Sequence, residues 1–257
     1  MTLFKRIYEY REMLKNLIVR DLRTRYKESV LGFLWTLINP LLMLVIYSIV
    51  FKTIMRMDIE NYSIFLFSGL LPWQFHQTVV SSNTSIIINN SGLIKKVYFP
   101  SEILPIATTV AGAINYMLCL IVLFISMLYV GVPIKISILY FPLILLTQMV
   151  FIIGLSLMLS AMNVYFRDLE HIVGIIMMAW FYLTPVFYPL SMVPEKYQSI
   201  FSLNPMTHIE QSYRDIFYYG QPPEVETLLI CLLFSVIFLV VGLYLFGKLK
   251  RNFAEEL

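Results

Sequence analysis

Charge is what this chain of 257 residues has least of: Asp, Glu, Lys and Arg together make up 14%, against 59% hydrophobic residues. A composition so poor in charge lies outside the range of soluble domains. Only two cysteines are present, Cys119 and Cys231, each inside an apolar run, so neither a disulfide framework nor a thiolate metal site is expected. No G-x-x-x-x-G-K-[ST] phosphate loop occurs, and the chain is therefore not expected to hydrolyse ATP itself. The H-E-x-x-H, G-x-S-x-G and C-x-x-C patterns are missing too, which takes away the usual residues of an intramembrane protease or hydrolase. Glu170-His171 is too small a cluster for a metal. The net charge of +3 is too small to point to nucleic acid. Residues 1–29 hold no early apolar run, so a cleaved signal peptide is not expected.

What fills the chain is long apolar stretches, near residues 30–51, 62–80, 103–130, 138–162, 171–190 and 225–247. Each is about the 20 residues that a helix needs to cross a bilayer, and only helices satisfy their own backbone in lipid. The second stretch is the weakest, because Pro72, Gln74, His76 and Gln77 interrupt it. Six spans put both termini on one side. That side then carries fourteen of the Lys and Arg residues and the other side five, which places the termini in the cytoplasm.

Within residues 3–22, Leu3, Ile7, Tyr10, Leu14, Leu17 and Leu22 recur at helical spacing, with Arg6, Arg11, Lys15 and Arg20 between them. Arg20, Arg23, Arg25, Tyr26 and Lys27 then lead into the first span without a linker. An amphipathic helix in the headgroup layer fits this pattern, and so does a helix packed on another protein. Before the last span, Pro185, Pro189, Pro194, Pro205, Pro222 and Pro223 break residues 185–224 into pieces too short to cross. Asn204-Pro205 is a helix start, with Asn as cap and Pro at the first helical position. Met206, Ile209, Tyr213, Ile216 and Phe217 form its apolar face, with Glu210, Arg214 and Asp215 elsewhere. Two short helices there either dip into the membrane as an outer gate or rest on the lipid surface.

Polar side chains inside the spans, namely Asn39, Gln74, Gln77, Asn83, Asn115, Gln148 and Thr184, serve as bonds between helices or line a pathway. No Lys, Arg, Asp or Glu falls in the middle of a span, which counts against proton- or ion-coupled transport. Trp35, Trp73, Tyr182, Phe187 and Tyr188 belong to an aromatic set at span ends and in the broken region. Some of this set offers flat faces to sugar rings. Together with Asn39, Gln74, Gln77 and Tyr213, these five are the channel and gate candidates. On the cytoplasmic side, Leu93-Ile94-Lys95-Lys96-Val97-Tyr98-Phe99-Pro100 is a short basic, aromatic loop. It either plugs into a soluble partner through Tyr98 and Phe99 or anchors the chain at the headgroups. Arg167 and Asp168, in the second cytoplasmic loop, form a contact or cap the fifth span.

Several stretches in order resemble one family. Arg20 through Lys27, Ser29 through Trp35 and Pro40-Leu41 resemble the leading segment of ABC-2 type polysaccharide export permeases. Gly69-Leu70-Leu71-Pro72-Trp73, Lys95 through Pro100, Asn163 through Leu169 and Leu203-Asn204-Pro205-Met206 are similar to further landmarks of that family. Gln74-Phe75-His76 departs from it, since an aromatic pair is more usual there. The resemblance implies an all-α polytopic membrane protein with six transmembrane helices. It implies one domain over 1–257: an interfacial helix at 1–29, spans one to five at 30–190, a re-entrant outer helix pair at 191–224, and the last span and tail at 225–257. It further implies a permease, not an enzyme, that forms a homodimer and pairs with two ABC ATPase subunits. ATP and Mg then bind those partners, and no cofactor binds this chain. The coupling loop implied is about residues 91–100. The cargo implied is lipid-linked polysaccharide, with O-antigen of lipopolysaccharide ahead of teichoic acid or capsule, crossing the bacterial cytoplasmic (inner) membrane. A passive channel or scaffold, and a membrane enzyme using Asp168, Glu170 and His171, are the readings from other classes.

Overall fold

The computed structural model describes residues 8–26 and 31–257, and among them it is helical throughout, with no strand. The helices are α1 (Arg11–Tyr26), α2 (Trp35–Tyr47, continued as a π-helix over Ser48–Ile54) and α3 (Tyr62–Thr84). Two short ones follow, α4 (Ile86–Asn89) and α5 (Ser91–Lys96), and then α6 (Ile103–Val130) and α7 (Phe141–Tyr165). Next come α8 (Leu169–Tyr182), α9 (Glu195–Ser202) and α10 (Pro205–Arg214, with a π turn over Asp215–Tyr219). The chain closes with α11 (Val225–Leu249) and α12 (Phe253–Glu256). Leu3, Arg6, Ile7 and Lys27 lie outside the described residues, as do the side chains of Arg25 and Tyr26.

Four helical runs are long and apolar enough to cross a membrane: Trp35–Ile54, Ile103–Val130, Ile136–Tyr165 and Val225–Asn252. Two expected spans differ from these for physical reasons. The α3 helix has the length, at 23 residues, but carries Pro72, Gln74, His76, Gln77 and Asn83. It tolerates them because protein surrounds it: α6, α7, α8 and α10 all pack on it, and most of its side chains are buried. The α8 helix has the hydropathy but only 14 residues, about 21 Å at 1.5 Å per residue. It stops at Tyr182 instead of 190, because Pro185 and Pro189 lack N–H donors and disfavour helix in the residue before them.

The most extensive helix pairing is α7 with α11. A Cβ on Gly154 would fall into the backbone at Phe238 and Leu239, and one on Gly242 into Gly154 itself, so the two backbones touch there. Close approach through small residues is how helices associate where no hydrophobic force drives them together. The Ser235 hydroxyl adds a bond to the Thr147 carbonyl at 3.0 Å. Asn83 of α3 plays a similar part, donating to Ser156 of α7 at 3.0 Å and to Thr109 of α6 at 3.3 Å.

The α9–α10 hairpin is fastened at three places. At its apex the Asn204 side chain accepts from the Met206 N–H at 3.0 Å and from the Trp180 indole at 2.8 Å, and donates to Thr184 at 2.9 Å. Midway, the Tyr213 hydroxyl donates to Gln148, which donates in turn to the Pro72 carbonyl, both at 2.9 Å. Near the end of α10, Arg214 donates to the Val186 carbonyl at 2.6 Å and lies 4.1 Å over the Phe65 ring. The sequence pattern places Glu210, Arg214 and Asp215 off the apolar face of α10; the structure buries all three. The reason is enclosure, since α3 and α11 flank α10 and the 183–189 turn covers the Arg214 side.

At the end of the bundle that carries the C-terminus, α1 packs along α6 with Leu17 buried against Ile103, Leu104 and Ala107. Its apolar stripe is therefore used, at least from Tyr10 onward, on the chain's own helices. Asp168 precedes α8 in helical conformation and makes no side-chain capping bond.

Gly242→Val is expected to cost about 2 kcal/mol or more by forcing the α7 and α11 backbones apart, whereas Ser235→Ala should cost about 0.6 kcal/mol. Unfolding in mixed micelles measures both. For the hairpin, Arg214→Met should cost about 2–3 kcal/mol in the same assay, because it removes the charged hydrogen bond to the Val186 carbonyl and the cation over the Phe65 ring.

Candidate functional site

Several of the polar residues that interrupt α2, α3 and α6 meet in one groove. It encloses ≈ 490 Å³ between α2, α3 and α6. Trp35, Asn39, Gln74 and Gln77 all line it, four of the nine channel and gate candidates. The physical reason is register: Trp35 and Asn39 are one turn apart on α2, and Gln74 and Gln77 are three apart on α3. Gln77 accepts the Trp73 indole N–H at 3.0 Å, which fixes the amide's orientation toward the groove.

The groove wall also includes Asn115, one of the polar side chains read as a helix bond or pathway lining, and Thr36, Thr78, Tyr116 and Cys119, which are not among the candidates. The signal for them was Asn115, an amide within the apolar run of α6 with Cys119 one turn beyond. The Cys119 thiol lies 3.4 Å from the Thr36 carbonyl and ties α6 to α2. Among the described residues, no Lys, Arg, Asp or Glu lines this groove. Four amides, the hydroxyls of Thr36, Thr78 and Tyr116, the Cys119 thiol, aromatic rings and apolar side chains line it, a set that suits a neutral, hydroxyl-rich ligand with apolar C–H faces.

The other five candidates sit elsewhere. Trp73 is buried among His76, Trp180 and Phe181, with ring centroids 5.6, 6.2 and 5.7 Å away. Tyr213 is buried too, its ring parallel to Phe217. Both hold the core. Tyr182, Phe187 and Tyr188 gather at the end of the bundle opposite the C-terminus. There Phe187 stacks on Phe51 at 4.6 Å and the Tyr188 hydroxyl donates to the Tyr182 carbonyl at 2.9 Å. Tyr182 stays exposed at the rim of this cluster.

The loop residues 93–100 lie at the C-terminal end of the bundle. Leu93 through Lys96 are in α5, and from Val97 the chain is extended. Tyr98 is 97% exposed, but Phe99 and Ile94 pack against the second apolar cluster, with Leu17, Ile103 and Phe246. A groove of ≈ 680 Å³ runs beside the loop, lined by Tyr10, Ile94, Val97 through Glu102, Lys250, Arg251 and Phe253. Arg20 faces the same loop and donates to Asn90 at 3.0 Å; Arg23 is exposed. Among the described residues, no three of His, Cys, Asp and Glu come together as a metal site.

The sequence profile described as "ABC-2 type transporter" matches residues 12–218. Among curated proteins, the chain is 38% identical to the O-antigen export system permease protein RfbA of Myxococcus xanthus, over 99% of each chain. An O-antigen export system permease protein RfbA of Klebsiella pneumoniae is 37% identical, over 93% of this chain and 92% of its own. The polysialic acid transport protein KpsM of Escherichia coli is 26% identical, over 90% of each. The profile takes in α1 through α10, so the groove, the loop at 93–100 and the hairpin all fall within it, and the chain belongs to the ABC-2 type transporter family.

Proposed function

We propose that this chain is the permease subunit of an ATP-driven exporter that carries lipid-linked polysaccharide, O-antigen in the first place, across the bacterial cytoplasmic (inner) membrane. Two copies pair with two ATP-binding subunits that bind ATP and Mg. The termini, α1 and the loop at 91–100 face the cytoplasm, and α2, α3, α6, α7, α8 and α11 make six spans. The α9–α10 hairpin is then re-entrant from the outer side. Its support is the depth of its apex, where Asn204 bonds to Trp180, a neighbour of Trp73 and His76 inside α3. Full-length similarity to O-antigen permeases supports the cargo.

The single observation that carries the reading is the uncharged amide and aromatic groove of Trp35, Asn39, Gln74, Gln77 and Asn115. Sugar rings stack on the aromatic faces while hydroxyls exchange bonds with the amides, and no fixed charge traps the chain in transit. A polyanionic capsule chain would find no cation among the described residues of this groove, which ranks capsule below O-antigen. Tyr182, Phe187 and Tyr188 stand on the outer side of this path as gate residues. On the cytoplasmic side, Tyr98 is the knob that an ATP-binding subunit receives, and Phe99 fixes the loop from within.

Two outcomes follow. Co-purification with the ATP-binding subunit should weaken roughly 30-fold or more in Tyr98→Ala, as for a central interface anchor. Asn39→Leu/Gln74→Leu should keep that complex but reduce polysaccharide delivered to the outer face, read by surface labelling in cells. Undiminished export from the double variant would remove the groove from the path.

A further inference from the structure

The stretch from Asn90 to Glu102 is held by polar contacts at both ends and by Ile94 and Phe99 packing inward between them. At its start, Arg20 of α1 donates to the Asn90 side chain at 3.0 Å, and Asn90 donates back to the Ile86 carbonyl at 2.8 Å. At its end, Glu102, directly before α6, is ion-paired with Lys250, which follows the last residue of α11. The Glu102 side chain is 6% exposed and that of Lys250 29%. An ion pair so far out of water is screened less and relaxes less than a surface pair. Between the two ends, Tyr98 stands clear of the protein.

Lys250 is itself held in place. The Tyr165 hydroxyl of α7 donates to the Leu249 carbonyl at 2.8 Å. Three residues beyond Lys250, Phe253 is buried edge-on to Phe246 at 5.5 Å. A displacement of the loop therefore reaches α11 through a salt bridge whose lysine is pinned on both sides. The α11 helix in turn cannot move without α7, because the two touch backbone to backbone at Gly154 and Gly242.

We propose that Glu102 and Lys250 are a positioning pair that passes movement of the loop at 91–100 to the α7–α11 unit, with Arg20 and Asn90 passing it to α1. The pair spans 148 positions of sequence and joins the loop to α7 and α11, neither of which lines the groove. The transport role rests on the reading of residues 91–100 as the contact with the ATP-binding subunit. The mechanical link itself does not, and the two are tested apart.

Amide hydrogen exchange on the chain alone in lipid nanodiscs tests the link. Lys250→Met should speed exchange roughly tenfold across residues 97–104 and 250–257. The exchanged pair Glu102→Lys/Lys250→Glu should restore the wild-type rate. Unchanged exchange in Lys250→Met overturns the proposal, whether or not any ATP-binding subunit associates. Should Lys250→Met fail to fold, Glu102→Gln/Lys250→Met, neutral at both positions, carries the same comparison. In the assembled transporter, Lys250→Met should retain the complex and its ATP turnover while polysaccharide exported per ATP falls several-fold, recovering in the exchanged pair. Loss of the complex in Lys250→Met would make the tail a docking surface and overturn the positioning role. Failure of the wild-type chain to form any complex would sink the coupling-loop reading and leave the exchange result to decide the link.

Discussion

A helix that carries Pro72, Gln74, His76 and Gln77 in its middle and Asn83 near its end cannot face lipid, and the rest of this structure is arranged around that constraint. Each unpaired polar group would cost several kcal/mol in hydrocarbon. The chain answers by building a shell around α3: α6 and α7 on its long sides, α8 beside it, and α10 closing the remaining gap. The bonds that matter most run from this shell to α3. Gln148 caps the Pro72 carbonyl, Asn83 reaches acceptors on both α6 and α7, and Arg214 leans on Phe65 beside Gly69. Gly69 is small because a Cβ there would lie 2.9 Å from the Arg214 guanidinium. Where the shell is incomplete, against α2, the polar side chains of α3 open into the groove.

Much of the fold was legible in the sequence because hydropathy and proline report locally. The bounds of α6 and α11 match their apolar runs, and Asn204-Pro205 starts α10 with the capping bond that its residue types imply. The weakness of the second stretch was legible as well, and it marks the helix that needs enclosure. Burial of Glu210 and Arg214 was not legible, since a short amphipathic helix reads the same whether its polar face meets water or a stacked aromatic and a backbone carbonyl. Nor could periodicity tell that Phe99 turns inward while Tyr98 turns out, because an extended dipeptide has no helical face to read.

The groove was legible only in part, for a related reason. Asn39, Gln74 and Gln77 announce themselves as amides in apolar surroundings, and their convergence follows from two helices in contact. Thr36, Thr78 and Tyr116 carry no such signal, being common on any span, and became visible only as walls of the same space. Trp73 and Tyr213 illustrate the converse. Their aromatic character suited a channel, yet both rings are buried, and Tyr213 spends its hydroxyl on Gln148 in the core while the Trp73 indole holds Gln77 at the groove wall. Ionic contacts between distant elements, such as Glu102 with Lys250, lie wholly beyond local pattern.

The two arms of the outer hairpin are unequal. Eight residues of α10 are buried and none of α9 is. Tyr197, Ile200 and Leu203 are exposed, and α9 is joined to the rest at Pro194, at the Asn204 apex and by the His208 ring of α10, 2.7 Å from the Ser202 carbonyl. A rotation of α9 about its two ends pulls no fully buried side chain out of the core, so its main cost beyond turning the backbone joints is the His208 contact. Slow, large-amplitude excursions of this chain should therefore concentrate in eight residues, with α10 as the stationary post on which that flap hangs.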